Sequence, residues 1–457
     1  MDRILVHPSG WGFMEEASAK PFTPWGCNYY DPFTGWAPQL WTQFDPARVA
    51  EQLSQVAELG ANSIRVFLTL KSLLERPGKA SEKGIEKVMQ MLDLAARHQL
   101  RVIWSGPSLW EGVPDWWPAG SHAQMLIHPD LIADQEAVWK ALAGAMRGHP
   151  ALLAYDLHNE PLIPWQASPI FNDLWRQWKA RYAPNAPEDP PLPAPPTYFN
   201  WDWDVQRFRE TLAVAYVERM SAAIRGADDT HLITIGLHQK SAPFDWYPPD
   251  GYAAFNACQL APYLDYLSVH FYPHHIFHPN LYRDPYETSE AMAETLLHAR
   301  AVMRTISAAG KPVVLQECGW YGGGAVFTAG REQPERTEAD QTLWCRSLVE
   351  ATRGDVCGWL FWPYRDTPSS LDPSRFSGLY AADGKRKDWG RTFAQLAPEM
   401  TAAIPPRQPG TRRIQMERKS LVTDPQAVKD FRKAYLRAFQ NGEVLDFGDD
   451  PCEGSDT

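Results

Sequence analysis

The sequence predicts an α/β fold, a (β/α)8 TIM barrel, on three observations. Short apolar runs rich in β-branched and aromatic residues alternate about eight times with longer stretches of helical period. The runs are apolar at nearly every position, as expected of strands covered on both faces in an all-parallel sheet wrapped by helices. No Gly-rich turn follows the first run, which argues against an open doubly wound sheet, the nearest alternative.

The elements follow in order. Trp25–Tyr30 leads to a helix over Pro46–Leu59, Ala61–Phe67 (ANSIRVF) to Gly84–His98, and Arg101–Gly106 (RVIWSG) to Asp130–Arg147. Ala151–His158 (ALLAYDLH) leads, across an insertion, to Val205–Gly226. His231–His238 (HLITIGLH) and Leu264–Tyr272 (LDYLSVHFY) come next, then helix Ser289–Ala309. Lys311–Glu317 (KPVVLQE), helix Thr337–Thr352 and strand Val356–Trp362 (VCGWLFW) complete the set. Most of the helices place apolar residues at i, i+3, i+4 spacing.

Two segments break the rhythm. Ala183–Pro196 (APNAPEDPPLPAPP) has seven prolines in fourteen residues, which excludes regular structure because each proline fixes φ and lacks an N–H donor. It lies in an insertion of about residues 163–203 with Trp165, Phe171, Trp175, Trp178, Tyr198, Trp201 and Trp203, expected to fold over one side of the barrel mouth. The barrel is expected over residues 1–404 and an appendage over 405–457. There Val428, Phe431, Tyr435 and Phe439 share roughly one helical face between Pro425 and Gln440, which predicts a helix docking on the barrel. Asp449–Thr457 is expected to be disordered.

Composition bounds the function. The 457 residues carry 44 basic and 55 acidic side chains, a formal charge of −11, so neither nucleic acid nor an anionic membrane is expected as a partner. The 20 tryptophans favour a carbohydrate, whose C–H faces stack on flat indoles. Six cysteines at positions 27, 258, 318, 345, 357 and 452 form no CxxC pair, so reduced buried thiols are expected. No basic start with a long apolar stretch opens the chain, and no 18-residue apolar segment occurs, so a cytoplasmic location is expected unless a leader has been removed.

Two glutamates end apolar strands: Glu160 in Tyr155-Asp156-Leu157-His158-Asn159-Glu160-Pro161, and Glu317 in Val314-Leu315-Gln316-Glu317-Cys318. A carboxyl group at the mouth of a buried strand loses hydration, and two held together can divide acid and nucleophile roles. Strands four and seven face each other across a barrel mouth, where functional groups of this fold gather. The same strand ends carry Arg65, Asn159, His238, His270, Tyr272 and Trp362, with Trp110, Trp116 and Trp117 after strand three as candidate walls. Glycosidic cleavage needs a proton for the departing oxygen and support for an oxocarbenium-like centre, which two carboxyls can supply.

These motifs resemble the retaining glycosidases of clan A, most closely glycoside hydrolase family 5 with its cellulases, mannanases and β-mannosidases, over roughly residues 20–400. The resemblance rests on Asn159-Glu160-Pro161, His270-Phe271-Tyr272, Glu317, Trp362 and the strand-two Arg65. It implies Glu160 as acid/base and Glu317 as nucleophile. Asn159 can hold the hydroxyl beside the anomeric carbon, Arg65 and Tyr272 can donate toward Glu317, and Trp362 with His270 beside it would floor the sugar subsite. No cofactor or metal is expected, although His270, His274, His275 and His278 crowd one loop. Gly322-Gly323-Gly324 is expected to let a lid bend near Glu317, and Cys318 to be an inert buried thiol.

Trp104-Ser105-Gly106 lacks the histidine often found there in the family's cellulases, and the long loops suggest a walled pocket. Exo-acting cleavage of β-mannosides or β-glucosides is therefore expected. The alternatives are an endo-glycanase, a transglycosidase or a non-catalytic sugar-binding barrel.

Overall fold

Eight parallel strands close into a barrel in chain order: β1 (Trp25–Tyr29), β2 (Ser63–Phe67), β3 (Arg101–Ser105), β4 (Leu152–Asn159), β5 (Leu232–Leu237), β6 (Leu267–Phe271), β7 (Val313–Cys318) and β8 (Trp359–Phe361). β8 pairs back onto β1, with Trp359 opposite Trp25 and Phe361 opposite Cys27. Every residue of these strands is buried, the reason for their unbroken apolar runs. The computed structural model describes residues 1–35, 37–108, 111–164, 167–192, 202–246, 251–273 and 283–449.

Helices cover the barrel: α1 (Pro46–Glu58), α2 (Glu82–Arg97), α3 (Pro129–Met146), α4 (Pro169–Tyr182), α5 (Trp203–Arg225), α6 (Ser289–Ser307), α7 (Glu338–Thr352) and α8 (Asp388–Thr401). Their starts are set locally. Asp45 accepts from the Ala47 and Arg48 N–H groups ahead of Pro46, and Thr337 forms a capping box with Asp340, each satisfying orphan donors of the first turn. α8 was not anticipated, and among the described residues β5 is followed by short helical turns such as Ala257–Leu260.

The insertion departs from expectation. Ser168 caps α4, and Phe171, Trp175 and Trp178 turn onto Phe208 of α5 at ring separations of 5.2, 5.6 and 5.7 Å. These three aromatics are consumed in a core of their own rather than lining the mouth, because their helical spacing places them on one face that α5 covers. Residues 183–192 have neither helix nor strand. Trp165, Tyr198, Trp201 and residues 193–196 lie outside the described residues, and Trp203 opens α5.

An antiparallel sheet of Ile4–Val6, Phe13–Glu15 and Pro21–Phe22 lies at the opposite end of the barrel from the glutamates, where Phe13 meets Tyr266, just before β6, edge-on at 5.3 Å. At the C-terminus, β9 (Arg412–Met416) and β10 (Leu445–Asp449) pair in parallel around α9 (Pro425–Gln440), which packs on α6. Tyr435 Oη lies 2.6 Å from His298 Nδ1 of α6. Phe244, Phe431, Tyr435 and Phe447 close the interface with ring separations of 5.3–6.2 Å. The helix was legible; the strands flanking it were not. Asp449 ends β10, and 450–457 lie outside the described residues.

Cys27, Cys318, Cys345 and Cys357 are free and buried, and burial pushes their thiols up, that of Cys357 to about 12. Cys258 is disulfide-bonded, which corrects the expectation of reduced thiols: a disulfide needs neighbours in space, not a CxxC spacing. Among the described residues no helix is long and apolar enough to cross a membrane.

Candidate active site

Glu160 and Glu317 come together at the C-terminal ends of β4 and β7 because both strands bulge there. From Asp156 to Asn159, β4 advances three residues while β5 advances two, Thr234 to Gly236. From Leu315 to Glu317, β7 advances two while β6 advances one, Val269 to His270. Such a bulge resets the inward–outward alternation. Asp156 and Asn159 thereby both reach Arg65, and the successive residues Gln316 and Glu317 both enter the barrel. Glu160 follows with φ +48°, and its N–H donates to Gly236 O at 2.9 Å. That left-handed backbone costs an L-residue about 1–2 kcal/mol. Gly236 is needed for close approach, since a Cβ there would sit 3.0 Å from Arg65 Nη2 and 3.1 Å from His270 Nε2.

Arg65 organises the floor of the site and uses all five N–H groups. Nε donates to Asp156 Oδ2 at 2.8 Å. Nη1 donates to Asn28 Oδ1 at 3.0 Å and Glu317 Oε2 at 2.9 Å, and Nη2 to Ser105 Oγ at 2.9 Å and Asn159 Oδ1 at 2.8 Å. The guanidinium is fully buried and stands 4.5 Å from the Phe67 ring centroid. Its bond to Asn159 Oδ1 fixes the amide so that Nδ2 is the free-facing donor end. Gln316 Nε2 adds a second bond to Asp156 Oδ2 at 2.8 Å, and Tyr266 Oη supports Gln316 at 3.0 Å.

The two glutamates have unlike surroundings. Glu317 Oε1 accepts from Tyr272 Oη at 2.9 Å while Oε2 faces Arg65; Glu160 Oε1 lies 3.0 Å from His270 Nδ1, which is also 3.5 Å from Glu317 Oε2. One oxygen of each carboxylate and a ring nitrogen of His270 all lie within 4.8 Å of one another, consistent with the short carboxyl separation of about 5 Å that goes with direct attack on an anomeric carbon. Burial pushes the Glu317 carboxyl above its ordinary value. His270 opposes that rise, the Glu160 charge adds to it, and Arg65 and the Tyr272 hydroxyl also oppose it.

Burial also drives two histidines neutral. His270 is pushed down to about 4, mainly by loss of water, and His158, at the same strand end, to about 3 for the same reason. A base with a depressed folded pKa contributes stability that is fully present above its unfolded value near 6.5. That contribution is lost as pH falls toward the folded value, and for His270 it amounts to about 3 kcal/mol. Chemical denaturation between pH 7 and pH 4.5 is expected to find falling stability in the wild type and a shallower fall in His158→Gln. Equal slopes for the two proteins would remove His158 from the account.

The other expected residues divide. Tyr272 is in place, its N–H held by Gln239 Oε1 at 2.8 Å. Trp362 is half-buried after β8, with Nε1 donating to Ser374 Oγ at 2.9 Å and its ring 5.4 Å from Tyr30 and 5.6 Å from Phe67. His270 lies between the two glutamates. His238 directly follows β5 and caps the turn after it, its Nδ1 accepting from Lys240 N at 3.0 Å. Trp117 is not a wall: it is 6% exposed and its Nε1 donates to Asp134 Oδ2 at 3.0 Å, so its polar handle is already tied into α3. Trp116 remains 44% exposed. Trp110, His274, His275 and His278 lie outside the described residues. Two of the three glycines of Gly322-Gly323-Gly324 are tightly packed. A Cβ on Gly322 would lie 2.3 Å from Thr337 O and one on Gly324 2.6 Å from the Phe376 ring, and Lys387 Nζ donates to Gly322 O at 2.7 Å. Gly322 and Gly324 serve close packing, and Gly323 supplies a φ of +107°.

Sequence reasoning missed Asn28, Ser105, Asp156, Gln316 and Gln239 as members of the site. The signal was present: the first four are polar residues inside otherwise apolar strands, and a buried polar group in such a strand requires a partner.

The sequence profile of Cellulase (glycosyl hydrolase family 5) matches residues 27–366. The chain belongs to glycoside hydrolase family 5. The enzyme is accordingly a glycosidase of the retaining class, and the closed barrel is the family's fold. No curated protein matches the chain. Among solved structures, exo-β-1,4-mannosidase Op5Man5 from Opitutaceae bacterium strain TAV5 is similar at TM-score 0.70 and 18% identity, covering 97% of this chain and 72% of that one. GH5_18 from Streptomyces cattleya, in complex with Manβ1-4GlcNAc, is similar at TM-score 0.67 and 18% identity, covering 93% and 94%. GH5_18 from Bifidobacterium longum subsp. longum ATCC 55813 is similar at TM-score 0.67 and 20% identity, covering 93% and 92%.

Proposed function

We propose that this glycoside hydrolase family 5 enzyme removes terminal β-mannosyl units from short oligosaccharides, β-glucosyl units being the next candidate, with Glu317 as nucleophile and Glu160 as acid/base. The single observation that carries the role assignment is the unequal donor supply. Glu317 faces two donors fixed by the barrel, Arg65 Nη1 and Tyr272 Oη, whereas among the described residues the side-chain partner of Glu160 is the neutral His270 ring. A cation and a hydroxyl favour the ionised form of Glu317 against the effect of its burial and aim it for attack, whereas a carboxyl without them can carry the proton for the leaving oxygen. Glu317 attacks the anomeric carbon as Glu160 protonates the departing oxygen, giving a glycosyl ester and the free alcohol. Glu160 then takes a proton from water, which attacks the same carbon and releases Glu317. Asn159 Nδ2 is the donor for the hydroxyl beside the anomeric carbon. The sugar preference is supported by the resemblance to Op5Man5 and to the Manβ1-4GlcNAc complex.

The test is a panel of aryl β-mannosides, β-glucosides and β-galactosides, followed by Manβ1-4GlcNAc and longer chains with product sizing. Release of single mannose units is expected. Mid-chain cleavage would replace the exo reading with an endo one. In the same panel Glu160→Gln is expected to lower kcat/KM by about 10²–10⁴-fold on alkyl glycosides, and far less on dinitrophenyl glycosides, whose leaving group needs no proton. Equal losses on both would remove Glu160 as the proton donor.

A further inference from the structure

Glu160 sits in a left-handed backbone conformation, and such a residue persists only where its surroundings hold it from both sides. On the N-terminal side the hold is its own N–H on Gly236 O. On the C-terminal side it comes three residues on, at Ile163, a fully buried residue. Ile163 N–H donates to Ala253 O at 3.3 Å, and Ile163 O accepts from Arg209 Nη2 of α5 at 2.7 Å. The same guanidinium donates through Nη1 to Tyr252 O at 3.0 Å and to Gln206 Oε1 at 2.8 Å. Arg209 therefore pins the loop after β4 to the loop after β5.

The C-terminal appendage holds that pin. Arg418, 4% exposed, pairs with Glu210 of α5 and donates to Tyr252 Oη at 2.5 Å, its guanidinium 5.2 Å from the Tyr252 ring centroid. Arg418 opens a short helix, Arg418–Thr423, and two of its carbonyls add to the grip: Leu421 O accepts from Trp246 Nε1 at 2.7 Å and Val422 O from Gln206 Nε2 at 3.4 Å. Burying an arginine–glutamate pair between a barrel and its appendage is costly unless every contact is well made, and here Arg418, on the hydroxyl, and Arg209, on the carbonyl oxygen, meet at one loop residue, Tyr252.

We propose that the appendage is a working part of the catalytic site: Arg418, acting through Tyr252 and Arg209, is a positioning residue for the chain segment that carries Glu160. This rests on Glu160 being the proton donor. Loosening the clamp leaves Glu317, Arg65 and the sugar floor untouched and lets the acid drift from the leaving oxygen. The penalty falls on substrates that need the proton.

The experiment compares kcat/KM, which reports the bond-breaking half of the reaction, on methyl and dinitrophenyl β-glycosides of the preferred sugar. Arg418→Met and Tyr252→Phe in the full chain are expected to lose about tenfold or more on the methyl glycoside and less than about threefold on the dinitrophenyl one. Arg418→Lys, which keeps the charge near Glu210 but replaces the planar guanidinium whose Nη2 reaches both Glu210 and Tyr252, is expected to recover part of the loss. Tyr252→Phe removes one hydroxyl and leaves the carbonyl that Arg209 holds, so it reads the clamp even if Arg418→Met folds poorly. Equal losses on the two substrates, or none on either, would overturn the clamp. Glu160→Gln run alongside separates the premises. Its discrimination between the substrates does not depend on the clamp, so a failure there would sink the proton-donor role instead.

Discussion

Glu317→Gln is expected to lower kcat/KM by about 10⁴-fold or more on every glycoside the enzyme accepts, dinitrophenyl glycosides included. The amide keeps the shape and one oxygen for Arg65 Nη1 or Tyr272 Oη but cannot form the glycosyl ester, and no better leaving group can compensate for a missing nucleophile. This separates it from Glu160→Gln, whose deficit depends on the leaving group. Stability is expected to move the other way. Burial and the Glu160 charge raise the Glu317 carboxyl, so its ionised form is disfavoured in the fold. A raised acid contributes stability that is lost as pH rises through its folded value. The neutral isostere removes that loss, and thermal unfolding at pH 7–8 should find Glu317→Gln at least as stable as wild type, an exchange of stability for activity common at such sites. Residual turnover within about tenfold of wild type would exclude Glu317 as the nucleophile.

Arg65→Met is expected to be both inactive and destabilised, by about 3–5 kcal/mol, because removing one partner of a buried ion pair strands the others. Asp156 and Glu317 lose their shared cation, and Asn28, Ser105 and Asn159 each lose a donor. Arg65→Lys is expected to rescue little, since one ammonium cannot reach five acceptors in fixed directions. The pH dependence has a definite sign. Without the guanidinium the Glu317 carboxyl rises further, and protonating it relieves the strandedness. The deficit against wild type, measured by chemical denaturation, should therefore shrink between pH 8 and pH 5. A deficit that stays constant over that range would mean that packing against Phe67, rather than charge, is what Arg65 supplies.

Much of the site was legible because strand ends in this fold have a fixed address. Glu160, Glu317, Asn159, Tyr272 and Trp362 lie at or just past the end of an apolar run, with Arg65 inside one, and an eight-fold alternation sends all such ends to one mouth. Trp117 misled because an indole after a strand reads the same whether it faces a ligand or, as here, Asp134 of α3. The glycine triplet misled for a related reason: glycine permits bending, but at Gly322 and Gly324 it makes room for Thr337 O and the Phe376 ring. Phe171, Trp175 and Trp178 looked like an aromatic wall until α4 turned them onto Phe208.

Local patterning alone determined the barrel, the strand that carries each glutamate and the helix over Pro425–Gln440, since apolar periodicity, proline and end-of-strand position are properties of short stretches of chain. Tertiary structure alone decided which polar side chains face one another. Bulges in β4 and β7 break the two-residue alternation, so Asp156 and Asn159, or Gln316 and Glu317, share an interior that alternation would have denied them. A bulge is stabilised by its neighbours across the sheet rather than by its own residues. The convergence of five acceptors on Arg65, and of the appendage on Tyr252, joins residues far apart in the chain, which only the closed barrel brings within hydrogen-bond reach.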